Sequence, residues 1–153
     1  MKKYRIAAIP TKYADVLFRS RLEARWAAFF DLQAWKWEYE PVELNGWIPD
    51  FWLEIPCGHS ECCGNHELYI EVKPFTMPGD FCDYGEWAGH PVTKIEPYEF
   101  PSPAMFGVSP EHTRWQMSHG AGGGMEDILQ WAKNWELCWK TAGNMTQWRP
   151  AFA

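Results

Sequence analysis

Two strand-like runs each place a carboxylate where a strand would otherwise be apolar, and this constrains the chain more than any other feature. The first, Trp47-Ile48-Pro49-Asp50-Phe51-Trp52-Leu53-Glu54-Ile55, follows Asn45-Gly46, a strong hairpin signal because both residues tolerate positive φ. Pro49 cannot donate to a ladder, so the strand is expected to begin irregularly or to lie at an edge. Asp50 then sits among apolar neighbours, where a carboxylate lacking a partner is costly, and a ligand role is expected for it. The second run, Leu68-Tyr69-Ile70-Glu71-Val72-Lys73, is rich in apolar and β-branched residues and reads as a short strand. Period-two alternation puts Glu71 and Lys73 on one face and Ile70 and Val72 on the other.

An Asp and a Glu can share a hard divalent cation such as Mg²⁺, which takes oxygen ligands and keeps several waters. Such an ion lowers the pKa of a bound water and offsets charge on a reacting phosphodiester. Taken alone, Glu71 and Lys73 read better as the solvated face of a half-buried sheet. Asp50 beside them shifts the balance toward a site.

Pro49-Asp50 followed by Glu71-Val72-Lys73 resembles the PD-(D/E)XK nuclease superfamily, which includes restriction endonucleases, junction resolvases and many phage-borne nucleases. A third element strengthens the likeness: Phe18-Arg19-Ser20-Arg21-Leu22-Glu23-Ala24-Arg25-Trp26-Ala27 is similar to the helix that in many members precedes the sheet and supplies a further acidic ligand. The resemblance covers roughly residues 14 to 96 and is closest to small single-domain phage proteins. It implies an α/β, restriction-endonuclease-like core: a mixed central sheet flanked by helices, in the order helix, hairpin, strand, short crossover helix, strand, with a C-terminal helix added. It also implies Glu23, Asp50 and Glu71 as Mg²⁺ or Mn²⁺ ligands and Lys73 as the catalytic lysine. Read without the resemblance, Glu23 could simply pair with Arg19 on a helix surface, a contact worth only tenths of a kcal/mol.

The net charge of −6 argues against a protein that coats nucleic acid electrostatically, but a cluster of acidic metal ligands contributes to that count. Arg19, Arg21 and Arg25 on the first helix are candidates for DNA phosphate contact, with solvated helix charges as the plain alternative. The 11 Trp bury large areas and are expected mostly in the core, with stacking on bases as a second use. With 46% hydrophobic residues in 153, residues 1–153 are expected to form one domain with a substantial core. Ile6-Ala7-Ala8-Ile9 before Pro10 is too short for a signal-peptide core or a membrane span. A cytoplasmic protein is therefore expected, in the host cytoplasm if phage-borne, with no membrane partner.

Five cysteines in a reducing compartment read as metal ligands or buried thiols. Cys57-Gly58-His59-Ser60-Glu61-Cys62-Cys63-Gly64-Asn65-His66 packs three Cys and two His between the two runs. Zinc favours such thiolate and imidazole donors, so Cys57, His59, Cys62 or Cys63, and His66 could hold a structural Zn²⁺ in a loop at 57–66; the plain alternative is a polar hairpin loop. Cys82, His90 and Cys138 are read as packing or isolated residues.

Periodicity predicts a helix over Tyr13 to Phe30, with Leu22, Trp26 and Phe29 as its apolar stripe. Trp35 to Pro41 and Val42 to Ile55 are expected to form a hairpin. A short crossover helix is expected within Gly79 to Gly89, and a strand over His90 to Ile95 returning beside the Lys73 strand. Breaker residues make 97–124 a loop, and Met125 to Thr141 reads as an amphipathic helix. The expected function is metal-dependent hydrolysis of DNA phosphodiester bonds, most simply as an endonuclease, with a homodimer compatible with so small a domain. The alternative is a noncatalytic, zinc-stabilised binding or inhibitor protein on the same fold, its acidity suited to mimicking DNA or docking on a basic surface. Convergence of Asp50, Glu71 and Lys73 would favour the nuclease.

Overall fold

The computed structural model describes residues 9–44, 46–60, 62, 64–76, 101–119 and 122–147. It is an α/β structure in which a mixed six-stranded sheet carries two helices. A small hairpin comes first: β1 (Thr11–Tyr13) and β2 (Val16–Phe18) pair antiparallel. Its two-residue turn, Ala14-Asp15, has both φ angles positive, 51° and 64°, the backbone that matches strand twist. The expected helix over Tyr13 to Phe30 therefore starts later, as α1 (Arg21–Leu32). Its start is set by a capping box: the Ser20 hydroxyl accepts from the Glu23 N–H at 3.1 Å, and Glu23 Oε1 accepts from the Ser20 N–H at 3.2 Å. Reciprocal capping of this kind satisfies two donors that a helix N-terminus leaves unpaired.

The large sheet runs in the order β3 (Lys36–Tyr39), β4 (Phe51–Pro56), β5 (Asn65–Val72), β6 (Ser102–Phe106), β7 (Thr113–His119) and β8 (Gly122–Glu126). All neighbours are antiparallel except β5 and β6, which are parallel. Ahead of β4, Leu44 and Trp47 bridge across a two-residue turn in which Gly46 has φ 84°, as the hairpin signal predicts.

The place beside β5 expected for residues 90–95 belongs to β6. The expected helix at 79–89 and strand at 90–95 lie outside the described residues. Nor is 97–124 a loop: β6 and β7 lie within it, and β8 begins there. Every residue of β6 is buried, and a strand covered on both faces shows no alternation for a pattern reading to find. β8 opens with three glycines, Gly122-Gly123-Gly124. Gly123 is needed there because a Cβ would run into the Met117 carbonyl across the pair.

The second helix, α2 (Trp135–Met145), starts ten residues later than its expected position at Met125. Ile128 and Trp131, expected on its face, reach the core from the preceding turn, where the Ile128 N–H donates to Thr113 Oγ1 at 3.1 Å. The core lies between the two helices and one face of the sheet, with Trp26, Phe29, Phe30, Phe51, Leu53, Ile70, Phe106 and Trp115 fully buried. Trp26 sits at its centre, 4.8 Å from Phe106 and 4.5 Å from Trp139 between ring centroids, and its indole N–H donates to the Gly107 carbonyl. Among the described residues, no helix is long and apolar enough to cross a membrane.

Candidate metal centres at the two ends of the sheet

Asp50 occupies the irregular start of β4. Its N–H donates to Ile70 O at 2.8 Å and its carbonyl accepts from the Glu40 N–H at 2.9 Å, so the ladder locks its backbone on both sides. Asp50 Oδ2 accepts from the Val72 N–H at 2.8 Å, and Oδ1 lies 3.3 Å from Arg19 Nη2. The residue is only 4% exposed. Burial first, and then the Glu71 and Glu23 charges, push its carboxyl up to about 8, against the pull of the Val72 N–H and Arg19. A carboxyl in this state keeps its proton near neutrality unless a cation takes the proton's place.

Glu71, near the end of β5, is also buried. Its Oε1 accepts from the Trp47 indole N–H at 2.8 Å, and its Oε2 is 3.9 Å from Lys73 Nζ. Burial raises its pKa while Trp47 and Lys73 lower it, and Glu23 raises it further. Lys73 follows β5 and is half exposed at its side chain. Glu23 is buried on the first turn of α1, where Oε1 serves the capping box and accepts from Tyr39 Oη at 2.9 Å. Three buried carboxylates from a helix and two strands thus feel one another's charge, with Arg19 and Lys73 as the cations paired to Asp50 and Glu71. The donors are all oxygens and the acidic charge is in excess, a combination that fits a hard divalent ion. Among the described residues the three do not form a closed shell of the kind seen at the other end of the sheet. Mg²⁺ does not require one, since it is usually held by one or two carboxylates with waters and substrate oxygens.

The arginines separate. Arg19 is largely exposed at the rim of this centre, paired to Asp50 and to Glu40 at 3.5 Å. Arg21 is exposed on the first turn of α1. Arg25 is committed to helix packing, a correction to its expected phosphate contact. Its Nε and Nη2 donate to the Trp139 carbonyl at 3.0 and 2.8 Å, and its guanidinium lies 4.1 Å over the Trp139 ring. Gly143 makes room, because a Cβ there would lie 2.9 Å from that guanidinium.

The opposite ends of β4 and β5 carry a different donor set. Cys57, Cys62, His66 and His119 each offer an atom within 4.8 Å of all the others, an arrangement that could hold a metal ion. His59, expected as a ligand, is outside this set; its ring stacks on that of His119 at 4.1 Å. Cys63 lies outside the described residues. His119 was missed because it stands far along the chain, in a segment read as a loop. Trp47 and Tyr39, which orient Glu71 and Glu23, carry no local motif that would single them out. Burial, and then the neighbouring His119, lower the His66 pKa to about 4, so its imidazole is neutral near pH 7. Comparison with protein-family models, curated proteins and solved structures finds no match for this chain.

Proposed function

We propose that this chain is a metal-dependent nuclease hydrolysing DNA phosphodiester bonds, a small single-domain protein of the PD-(D/E)XK type with a restriction-endonuclease-like core. The observation that carries this reading is the meeting of Glu23, Asp50 and Glu71 from α1, β4 and β5, with Lys73 beside Glu71. Asp50 and Glu71 would hold Mg²⁺ or Mn²⁺, with Glu23 orienting the ion or its water. Once bound, the cation would supply Lewis-acid stabilisation and a more acidic water.

The chain's own residues do the rest. The Val72 N–H and the Trp47 indole fix the Asp50 and Glu71 carboxylates before any substrate arrives, so little reorganisation is needed at the moment of reaction. Lys73, 3.9 Å from Glu71, would orient the attacking water and offset charge on the scissile phosphate. Arg19, just before the α1 cap, and Arg21, on its first turn, are both exposed and would meet the DNA backbone. Convergence of the carboxylates favours this reading over a noncatalytic binding protein, for which nothing would require three buried acids to share one place.

The test is cleavage of supercoiled, linear and branched DNA with Mg²⁺ or Mn²⁺ by the wild type, Asp50→Asn and Lys73→Ala. Metal-dependent cutting lost in both variants is expected. Folded wild-type protein that cuts none of the substrates would overturn the reading in favour of the binding protein.

A further inference from the structure

We propose that Cys57, Cys62, His66 and His119 bind one Zn²⁺ in a tetrahedral structural site, and that this ion staples the β4–β5 turn to the end of β7. Two thiols and two imidazoles are the donors that select zinc over a hard cation. Three of the six ligand separations lie close to tetrahedral values, and all six are within 4.8 Å. With zinc bonds of about 2.3 Å to sulfur and about 2.0–2.1 Å to nitrogen, the edges of a tetrahedral ligand set run from about 3.3 to about 3.8 Å. Here Cys57 Sγ and His66 Nε2 each lie 3.2 Å from His119 Nε2, and Cys62 Sγ lies 3.7 Å from His66 Nε2.

The topology gives such an ion a task. In the sheet, β6 separates β5 from β7. His66 precedes Leu68, the partner of Ser102 at the start of β6, and His119 lies beyond Trp115, the partner of Ala104. Both histidines therefore lie beyond the first residue of β6, where no pairing among the described residues joins their strands through it. An ion shared by the turn and β7 closes that end.

The surroundings support a bound thiolate. The Trp131 indole N–H donates to Cys57 Sγ at 3.4 Å, a second contact of the kind that orients and stabilises a metal ligand. The rings of Trp115 and Trp131 stand edge-on to His66 at 4.9 and 5.7 Å, fixing the imidazole and shielding it. No residue is shared with the carboxylate centre. His66 and Glu71 stand five residues apart on β5, roughly 17 Å at the rise of a strand, so this proposal does not depend on nuclease activity.

The test is the zinc content of the full chain, purified without chelator or metal resin and measured by plasma mass spectrometry. Stoichiometric zinc is expected in the wild type and in His59→Ala, with roughly tenfold less or lower in His119→Ala and Cys57→Ser. Because a variant can also lose zinc by misfolding, Co²⁺-substituted wild type provides a second reading. It should show the visible absorption of tetrahedral, thiolate-ligated cobalt, and His119→Cys should keep the ion with a shifted spectrum. Full zinc in His119→Ala, or folded wild type that takes up neither zinc nor cobalt, would overturn the proposal.

Discussion

β4 and β5 each carry one kind of chemistry at one end and another at the other. Where β4 begins and β5 ends, Asp50 and Glu71 are held with Glu23 in a buried group of like charges, each carboxylate fixed by an N–H from Val72, Trp47 or Ser20. Where β4 ends and β5 begins, Cys57 and His66 join Cys62 and His119 in a closed set of soft donors packed against Trp115 and Trp131. The first group is electrostatically uncomfortable without a cation, since burial and repulsion both oppose ionisation. The second is neutral at His66 and compact. The electrostatically costly groups at one end thus sit on strands that bury other residues in the core.

On the proposed nuclease reading, the largest effect that would sharpen this contrast is on cleavage. Asp50→Asn should lower the Mg²⁺-dependent rate on the order of 10³-fold, the worth of several kcal/mol of charge stabilisation, while leaving zinc content unchanged. Cys57→Ser should do the reverse. Melting should fall on the order of 10 °C if several kcal/mol of metal-linked stability are lost, and cleavage at a permissive temperature should stay within a few-fold of wild type. A Cys57→Ser protein that melts like the wild type would break the comparison.

A pH effect follows from Asp50. Its carboxyl titrates near 8 in the folded protein against 3.8 ordinarily, so the folded state binds the proton more tightly than the unfolded chain. The resulting stability is fully present below about pH 4 and is lost as pH rises through about 8, with a slope of at most about 1.4 kcal/mol per unit. Urea denaturation of Mg²⁺-free protein should therefore show stability falling between those limits, and Asp50→Asn should reduce the slope, with Glu71, whose pKa burial also raises, contributing to the remainder. The smallest effect belongs to Arg25→Ala, which removes the bonds to Trp139 and should cost about 1–3 kcal/mol. The salt dependence of DNA binding should not change, because Arg25 faces α2.

The carboxylate end was legible in the sequence because its signals are local: a proline before Asp50, alternation that puts Glu71 and Lys73 on one face, a helix beginning near Glu23. Even there the Ser20-x-x-Glu23 capping box marks the helix start, whereas periodicity alone carries α1 back into the β1–β2 hairpin. The Cys/His end was legible only in part. Three of its donors fall within Cys57 to His66, but the fourth, His119, becomes a neighbour only through a strand that a proline- and glycine-rich segment conceals. Arg25 misled for a related reason. Its partner, the Trp139 carbonyl, lies 114 residues away, and no pattern on α1 distinguishes a phosphate contact from a helix clamp.

The carboxylate end is claimed as a site for a hard divalent cation, and the most direct measurement is Mg²⁺ titration by calorimetry of the wild type, Asp50→Asn and His119→Ala, each first shown to be folded. Binding should be present in the wild type, lost in Asp50→Asn and retained in His119→Ala. Equal Mg²⁺ binding by the wild type and Asp50→Asn, or none by either, would contradict it.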